Sequence, residues 1–404
     1  MSDRPKRIGL LFAQFAAYHI DRCEAVGRRM AGRADVMAVE VATSSATYAW
    51  EASGDVAAAR KVTLFPGASY DAIPWPRRLL SQFRALRRCH LVLIGIGYNE
   101  PDIIVLSLLL RLCGVKVVVL SESKFDDKPR RAGFELVKAA VLAPYSAAIV
   151  GASRHQAYFR FLGFRRRPVL PGYDSIGVER IRAMGGGQLA PGGKPFAERD
   201  FVYVGRFVDK KNLVELVEAF ALYRAKAGIA ARRLVLIGSG VEEAAIRARA
   251  AQLGVIDQID FPGFLGADEV ARRLSGSLAL VLPSLEEQWG LVVNEALAFG
   301  LPVIASSAVG SADVLVRNLV NGYIVEPGQP ESLGAALLAM AADPARWEAM
   351  VAASHKRAWL GDTERLADAA QLLLDPENAD ARARIAEFWH EAACKSGLGS
   401  ASRA

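Results

Sequence analysis

Cysteine is scarce in this chain: four among 404 residues, Cys23, Cys89, Cys113 and Cys394, with no C-x-x-C spacing. That argues against a zinc site or a disulfide framework and predicts a reducing, cytoplasmic setting. Long apolar runs are lacking too. "PDIIVLSLLLRLCGVKVVVL" (101–120) comes nearest, but Arg111, Gly114 and Lys116 cut it into a short helix and a strand. A membrane span needs about 20 consecutive apolar residues. A secretory leader is not expected either. Gln14 breaks the first apolar stretch, His19, Asp21 and Arg22 follow at once, and no small-residue cleavage site is present. "RIGLLFA" reads better as a buried first strand. The dinucleotide fingerprint is incomplete: "GIGYNE" (95–100) and "GSGVEE" (238–243) end in Glu100 and Glu243 where a third glycine belongs, which argues against a nicotinamide-dependent dehydrogenase. No aromatic and basic interleaving marks nucleic acid as a partner.

What is present is apolar bulk, 52% of residues, enough to exclude disorder and, over this length, to build two cores. Charge is uneven. Residues 1–190 hold 28 Lys+Arg against 16 Asp+Glu, and the remainder reverses the sign with 22 against 27. The first half is therefore expected to meet something anionic. The densest patch is "PWPRRLLSQFRALRRCH" (74–90), and "GFRRRP" (163–168) adds to it. A basic amphipathic helix of this kind suits an anionic membrane surface; the alternative is a solvated helix face packed on a sheet.

Short Val/Ile/Leu strands alternate with helix-length segments, twice over. In the first half the strands are "RIGLLFA", "DVMAVEVA", "KVTLF", "HLVLIGI", "VKVVVL" and "AAIVG", runs that suit parallel strands buried on both faces. "GGGQLAPGGKPFA" (185–197) has no periodicity and reads as a linker. The pattern then restarts with "FVYVGR", "RLVLIG", "QIDFPG", "LALVLP" and "PVIAS", each followed by a helix or a turn. The reading is α/β: two doubly wound Rossmann-like domains facing a central cleft, with ligand expected beyond the carboxyl ends of the strands. The expected boundaries are 1–184, linker 185–197, 198–375, and a helical tail at 376–404.

The most informative stretch is "PSLEEQWGLVVNEALAFGLPVIAS" (283–306). A strand ends at Pro283, a loop carries Glu287 and Gly290, and a helix runs from Leu291 to a glycine stop at Gly300. The free amides at that helix start, Leu291 and Val292 among them, suit phosphate. Gly290 has no side chain to obstruct it. Carboxylates on either side of a phosphate site accept hydrogen bonds from hydroxyls. Phosphate between two hydroxyl-rich groups describes a nucleotide sugar, with Glu295, placed in the first helical turn, on the ribose and Glu287 on the sugar. The alternative for Glu295 alone is that it merely complements the helix dipole.

Pro283-Ser284, Glu287, Gly290, Glu295-Ala296, Gly300 and Pro302-Val303 together resemble the family-4 retaining glycosyltransferases of the GT-B fold. The resemblance covers most of 198–345, with Trp289 standing where the family usually has Phe. "VGRFVDKKN" matches the family's Gly-Arg-x-x-x-x-Lys segment, "LIGSGVEE" its Gly-x-Gly turn, and "NGYIVEPGQPESLGAALLAM" (321–340) its run after the site. The resemblance implies that Arg206 and Lys211 hold the donor diphosphate, with Gly205, Gly238 and Phe264 also on the nucleotide side. It implies transfer of a sugar from a nucleoside diphosphate to an acceptor hydroxyl with retention, by front-face attack, in polysaccharide, lipopolysaccharide or glycolipid synthesis. No metal cofactor is expected. The one tight acidic pair, Asp126–Asp127, lies in the first half, and the helix end with Arg206 and Lys211 takes a cation's place.

The first half fits the family less well. No paired glycines follow the first strand, and Ser121, Glu122 and Ser123 occupy the place of an expected histidine. His19 and Glu122 are the candidates near the reacting carbon, although a lone histidine is more often structural. "GYDS" (172–175) resembles the family's Gly-Val-Asp and reads as structural. The acceptor is a glycan, a lipid-linked molecule or a small molecule. An epimerase of the same architecture, or a sugar-nucleotide-binding protein without turnover, are the other readings.

Overall fold

A computed structural model describes residues 5–45 and 54–393; Cys394 lies outside them. The chain divides into two units, Met1–Gly177 with Thr363–Trp389, and Val178–Asp362 with the residues from His390 on.

The first unit runs β1 (Lys6–Phe12), α1 (Ala17–Met30), β2 (Ala34–Ser44), β3 (Arg60–Ser69), α2 (Trp75–Leu86), β4 (Leu91–Ile94), α3 (Pro101–Leu112), β5 (Lys116–Ser121), α4 (Ala132–Val141), β6 (Ala147–Val150), α5 (Ser153–Phe161) and β7 (Val169–Pro171). Its seven strands are parallel, in the order β3-β2-β1-β4-β5-β6-β7. β1 lies centrally, Ile8 opposite both Val36 and Leu91. Every residue of β4 and β6 is buried, which is why these strands read as unbroken apolar runs.

The second unit contains α6 (Val178–Met184), β8 (Phe201–Val204), α7 (Leu213–Ala227), β9 (Leu234–Ile237), α8 (Glu243–Gln252), β10 (Ile259–Gly263), α9 (Ala267–Ser275), β11 (Ala279–Leu282), α10 (Leu291–Ala298), β12 (Val303–Ser306), α11 (Ala312–Leu315), β13 (Gly322–Val325), α12 (Pro330–Ala342) and α13 (Pro344–Arg357). Its six parallel strands are ordered β10-β9-β8-β11-β12-β13. Two further helices among the described residues, α14 (Glu364–Leu374) and α15 (Ala379–Ala393), follow.

The sheets thus match the α/β reading, but the boundaries differ. The first segment of the first unit ends at Gly177, so the residues from Val178 to Met184, placed by sequence in the first domain, form α6 of the second. The segment 185–197 is not a free linker. Arg199 is fully buried and donates to the carbonyls of Lys194, Pro191 and Gly192, while the Ala190 amide donates to the Phe299 carbonyl. The helix α14 returns to the first unit. Leu366, Ala367, Ala369 and Ala370 pack in one core with Cys23, Ala25, Val26 and Met30 of α1, and Arg29 pairs with Glu364 and Asp368.

The patch at 74–90 is only partly a surface feature. Arg78 is buried, donating to Asp102 at 2.8 Å, with Glu100 at 3.2 Å; Gln82 donates to the other Asp102 oxygen at 3.0 Å. Unpairing Asp102 would strand a buried charge, so Arg78 holds α2 to α3 and is not available to a ligand. Segment 101–120 forms α3 and β5 as expected, and among the described residues no helix is long and apolar enough to cross a membrane.

Candidate functional site

In the second unit the strand sequence reverses at β8: β9 and β10 lie to one side, β11, β12 and β13 to the other. Such a reversal opens a crevice between the loops leaving the two adjacent strands. The loop after β8 carries Gly205, Arg206, Lys210 and Lys211; the loop after β11 carries Glu287 and Gly290 and leads into α10. Phe264 follows β10 and is 81% exposed.

The two loops hold each other. The Leu285 amide donates to the Lys210 carbonyl at 2.8 Å. Asn212, in the left-handed region at φ 58°, donates from its side chain to Glu215 and to the Pro283 carbonyl. Glu215, buried, receives the amides of Gly328 and Gln329 at 2.9 and 3.0 Å. Sequence reasoning missed Asn212 and Glu215. Their Asn-x-x-Glu spacing at a helix start is the signal that could have found them.

Lys211 and Glu287 are ion-paired. The expected diphosphate cation and the expected sugar-binding carboxylate therefore neutralise one another here. Arg206 is exposed, and its backbone carbonyl accepts from the Tyr203 hydroxyl at 3.0 Å.

Gly290 caps α10 at φ 93°, and an added Cβ would lie 3.1 Å from Leu282 Cδ2 and 3.3 Å from Glu287 Cγ. The backbone thus requires glycine whether or not a phosphate approaches. A glycine cap leaves the amides of Leu291 and Val292 at the head of the helix without a capping side chain. Gly238 is also required sterically: its Cβ would sit 1.9 Å from the Gly205 carbonyl oxygen. Trp289 is buried and donates its indole N–H to Asn294 Oδ1 at 2.9 Å; Asn294 donates onward to the Gly361 carbonyl at 3.1 Å. The larger ring is accommodated because it has a polar partner.

Glu295 is the fifth residue of α10, so it lies beyond the first turn, where the sequence reading had placed it. Helical side chains lean toward the N-terminus, which favours a carboxyl directed back toward the helix start. Burial raises that carboxyl to about 7, with Arg180 pulling it down.

The N-terminal candidates lie at the carboxyl edge of the other sheet. His19 is buried, packed at a tilt against Phe12 and Tyr18 at 4.4 and 4.3 Å between centroids, and its Nδ1 accepts the Ala16 amide at 3.0 Å. Burial, with Arg22 nearby, holds it well below the ordinary histidine range, so it caps α1 as a neutral ring. Glu122 follows β5. Its charge adds to burial in pushing the Asp174 carboxyl well up. The Arg22 guanidinium lies over the rings of Tyr18 and Tyr173 at 4.8 and 4.9 Å and donates to the Ser175 carbonyl. Asp174, read from sequence as structural, is thus a neighbour of Glu122. The pair Asp126–Asp127 is neutralised by Lys124, with Arg154 on Asp126.

Residues 190–357 match the family model "Glycosyl transferases group 1". A D-inositol 3-phosphate glycosyltransferase of Streptomyces griseus is 37% identical over 135 residues, covering 33% of this chain and 28% of that protein. The chain spans under half the length of the curated relatives it matches. Two solved structures cover nearly the whole chain. Sucrose-phosphate synthase from Thermosynechococcus elongatus has TM-score 0.68 at 20% identity, over 93% of this chain and 100% of that one. Anabaena HepE in complex with UDP has TM-score 0.67 at 14% identity, over 92% and 100%. The fold is GT-B, two Rossmann-like domains.

Proposed function

We propose that this chain is a retaining glycosyltransferase that moves a sugar from a nucleoside diphosphate to an acceptor hydroxyl. The observation that carries the reading is the crevice at the strand reversal of the second unit, where Arg206, Lys211, Glu287 and the uncapped head of α10 gather at one edge. The family match of 190–357 and the UDP complex of HepE support a nucleotide-sugar donor.

The diphosphate sits on the amides of Leu291 and Val292, with Arg206 and Lys211 on its charge. Lys211 exchanges Glu287 for phosphate as the donor binds, and Glu287 is released to the hydroxyls of the sugar. Glu295 takes the ribose. The acceptor oxygen bonds to the anomeric carbon on the face from which the phosphate departs. The carbon–oxygen bond to the diphosphate breaks, and the leaving phosphate takes the acceptor proton. His19 holds the loop after β1, and Glu122 lies on the acceptor side. Charge neutralisation by the two cations and the helix makes a divalent ion unnecessary, so chelation leaves turnover unchanged. The acceptor belongs to a cell-envelope glycan or glycolipid, met on the cytoplasmic side of an anionic membrane.

The test is turnover of an α-linked nucleotide-sugar panel with glycan and lipid-linked acceptors, read by the anomeric proton of the product. Retention and strict dependence on acceptor are expected. An inverted product, or donor conversion without acceptor, would overturn the reading.

A further inference from the structure

The helix α4 is built inside out. Its sequence is AGFELVKAAV, and its single acidic residue, Glu135, is buried. The Glu135 carboxylate accepts from the Tyr158 hydroxyl at 2.6 Å and from Lys138 at 2.9 Å, with Arg130 at 3.6 Å. Phe134, Leu136 and Val137 instead face solvent, 63%, 73% and 61% exposed. A surface helix ordinarily does the opposite. Beside α4, Phe125 and Phe161 are also exposed, their rings edge to face at 5.8 Å.

The exposure is confined to one side of the sheet. α2, α3 and α5 contribute to the same core cluster, through Leu86, Ile103 and Phe159; α1 and α14 belong to the opposite one. All the large apolar side chains the first unit exposes among its described residues lie on α2, α3, α4, α5 or the turn ahead of α4, with Trp75 and Leu80 on α2 and Leu108 and Leu112 on α3. Apolar exposure gathered on one side of a sheet marks an interaction surface.

Charge says what the surface meets. Residues 128–173 contain nine Lys+Arg and one acid, the buried Glu135. Lys128 and Arg131 are exposed ahead of α4. Arg167 ties the loop after α5 to the carbonyls of Leu142 and Tyr145 at the far end of α4, which sets the exposed Arg165 and Arg166 there. Cations stand at both ends of an apolar helix face, and the exposed acid beside Phe125, Asp126, is paired with Lys124 and Arg154; such a face is complementary to a lipid surface with anionic headgroups, the side chains entering the interface while the cations take the phosphates.

We infer that the α4 face, flanked by α2, α3 and α5, docks the protein on an anionic bilayer, with Phe134, Leu136 and Val137 as the inserted side chains. This deepens the part of the functional reading that puts the acceptor at a membrane. The test needs no donor or acceptor, so its failure leaves the transfer reading to stand or fall alone.

The experiment is co-sedimentation with vesicles of phosphatidylglycerol and phosphatidylcholine in equal parts, against pure phosphatidylcholine, in 50 and 500 mM NaCl. The wild type should bind the anionic vesicles at least tenfold more tightly than the neutral ones, and high salt should weaken that binding. Leu136→Glu with Val137→Glu should reduce binding at least tenfold at both salts. Arg165→Glu with Arg166→Glu should reduce it mainly at low salt. All four positions are exposed, and an unchanged melting temperature confirms folding. Equal binding to both vesicle types, or α4 variants that bind like the wild type, would overturn the proposal. So would variants that turn a self-associating protein into a monomer without changing vesicle binding, since the face would then belong to a second copy of the chain.

Discussion

The carboxyl edges of the two sheets are built differently. In the second unit the edge is a backbone construction. The Lys210 carbonyl accepts the Leu285 amide, Asn212 stands in the left-handed region, Gly290 caps α10 at positive φ, and Gly238 lies against the Gly205 carbonyl. In the first unit the edge is a side-chain construction, with a neutral His19, an Arg22 sandwiched between Tyr18 and Tyr173, and two neighbouring carboxyls at Glu122 and Asp174. The first arrangement suits an invariant ligand part, a diphosphate held by amides and cations. The second can change residue by residue, which suits the acceptor-facing role proposed for it.

The comparison can be broken by mutation, and the largest effect is expected at Lys211. Lys211→Ala removes charge stabilisation at the leaving group, and kcat should fall on the order of a hundredfold or more in a transfer assay. Glu287→Gln comes next. Transfer should fall roughly tenfold to a hundredfold, yet affinity for the diphosphate alone, measured by calorimetry, should hold or increase, because Lys211 no longer has a carboxylate to leave. Loss of diphosphate affinity in that variant would contradict the exchange.

Glu295 should show a smaller, pH-dependent effect. Its carboxyl is raised in the folded chain from 4.5 to about 7, so the native state binds more protons than the unfolded one between those values. Stability should therefore decline as pH rises from about 5 to 7 and level off above. Glu295→Gln should remove that slope, a difference of about 1–2 kcal/mol in urea unfolding at pH 5 against pH 8 once solvent screening is allowed for. Identical slopes would contradict the assignment. The smallest effect on chemistry is expected at His19. His19→Ala should cost about 1–3 kcal/mol of stability through lost packing and the uncapped α1, with diphosphate affinity unchanged. A large loss of nucleotide binding there would erase the distinction between the edges.

The same contrast explains what could be read from sequence. The second unit's loops were legible because backbone geometry demands particular residue types at fixed spacings, Gly238, Gly290 and Gly300 above all. Strands buried on both faces were legible as apolar runs. β7 was not, because three residues, Val169 to Pro171, give no pattern. The return of α14 to the first unit was invisible, since its Ala- and Leu-rich face would suit either core. The pairing of Asp174 with Glu122, and of Arg22 with Tyr173 and Ser175, gave no signal because these partners are distant in sequence. The inward turn of Glu135 depends on Tyr158, twenty-three residues away, and periodicity within α4 cannot show which side is buried.

The central claim is that the head of α10, Arg206 and Lys211 form a diphosphate site. It is tested most directly by calorimetric titration of UDP, GDP and ADP into the wild type and Lys211→Ala. One diphosphate should bind the wild type, and the substitution should weaken it about tenfold or more, as loss of a charged hydrogen bond worth ~1.5–3 kcal/mol requires. Binding of none of the three, or equal binding by both proteins, would contradict the account.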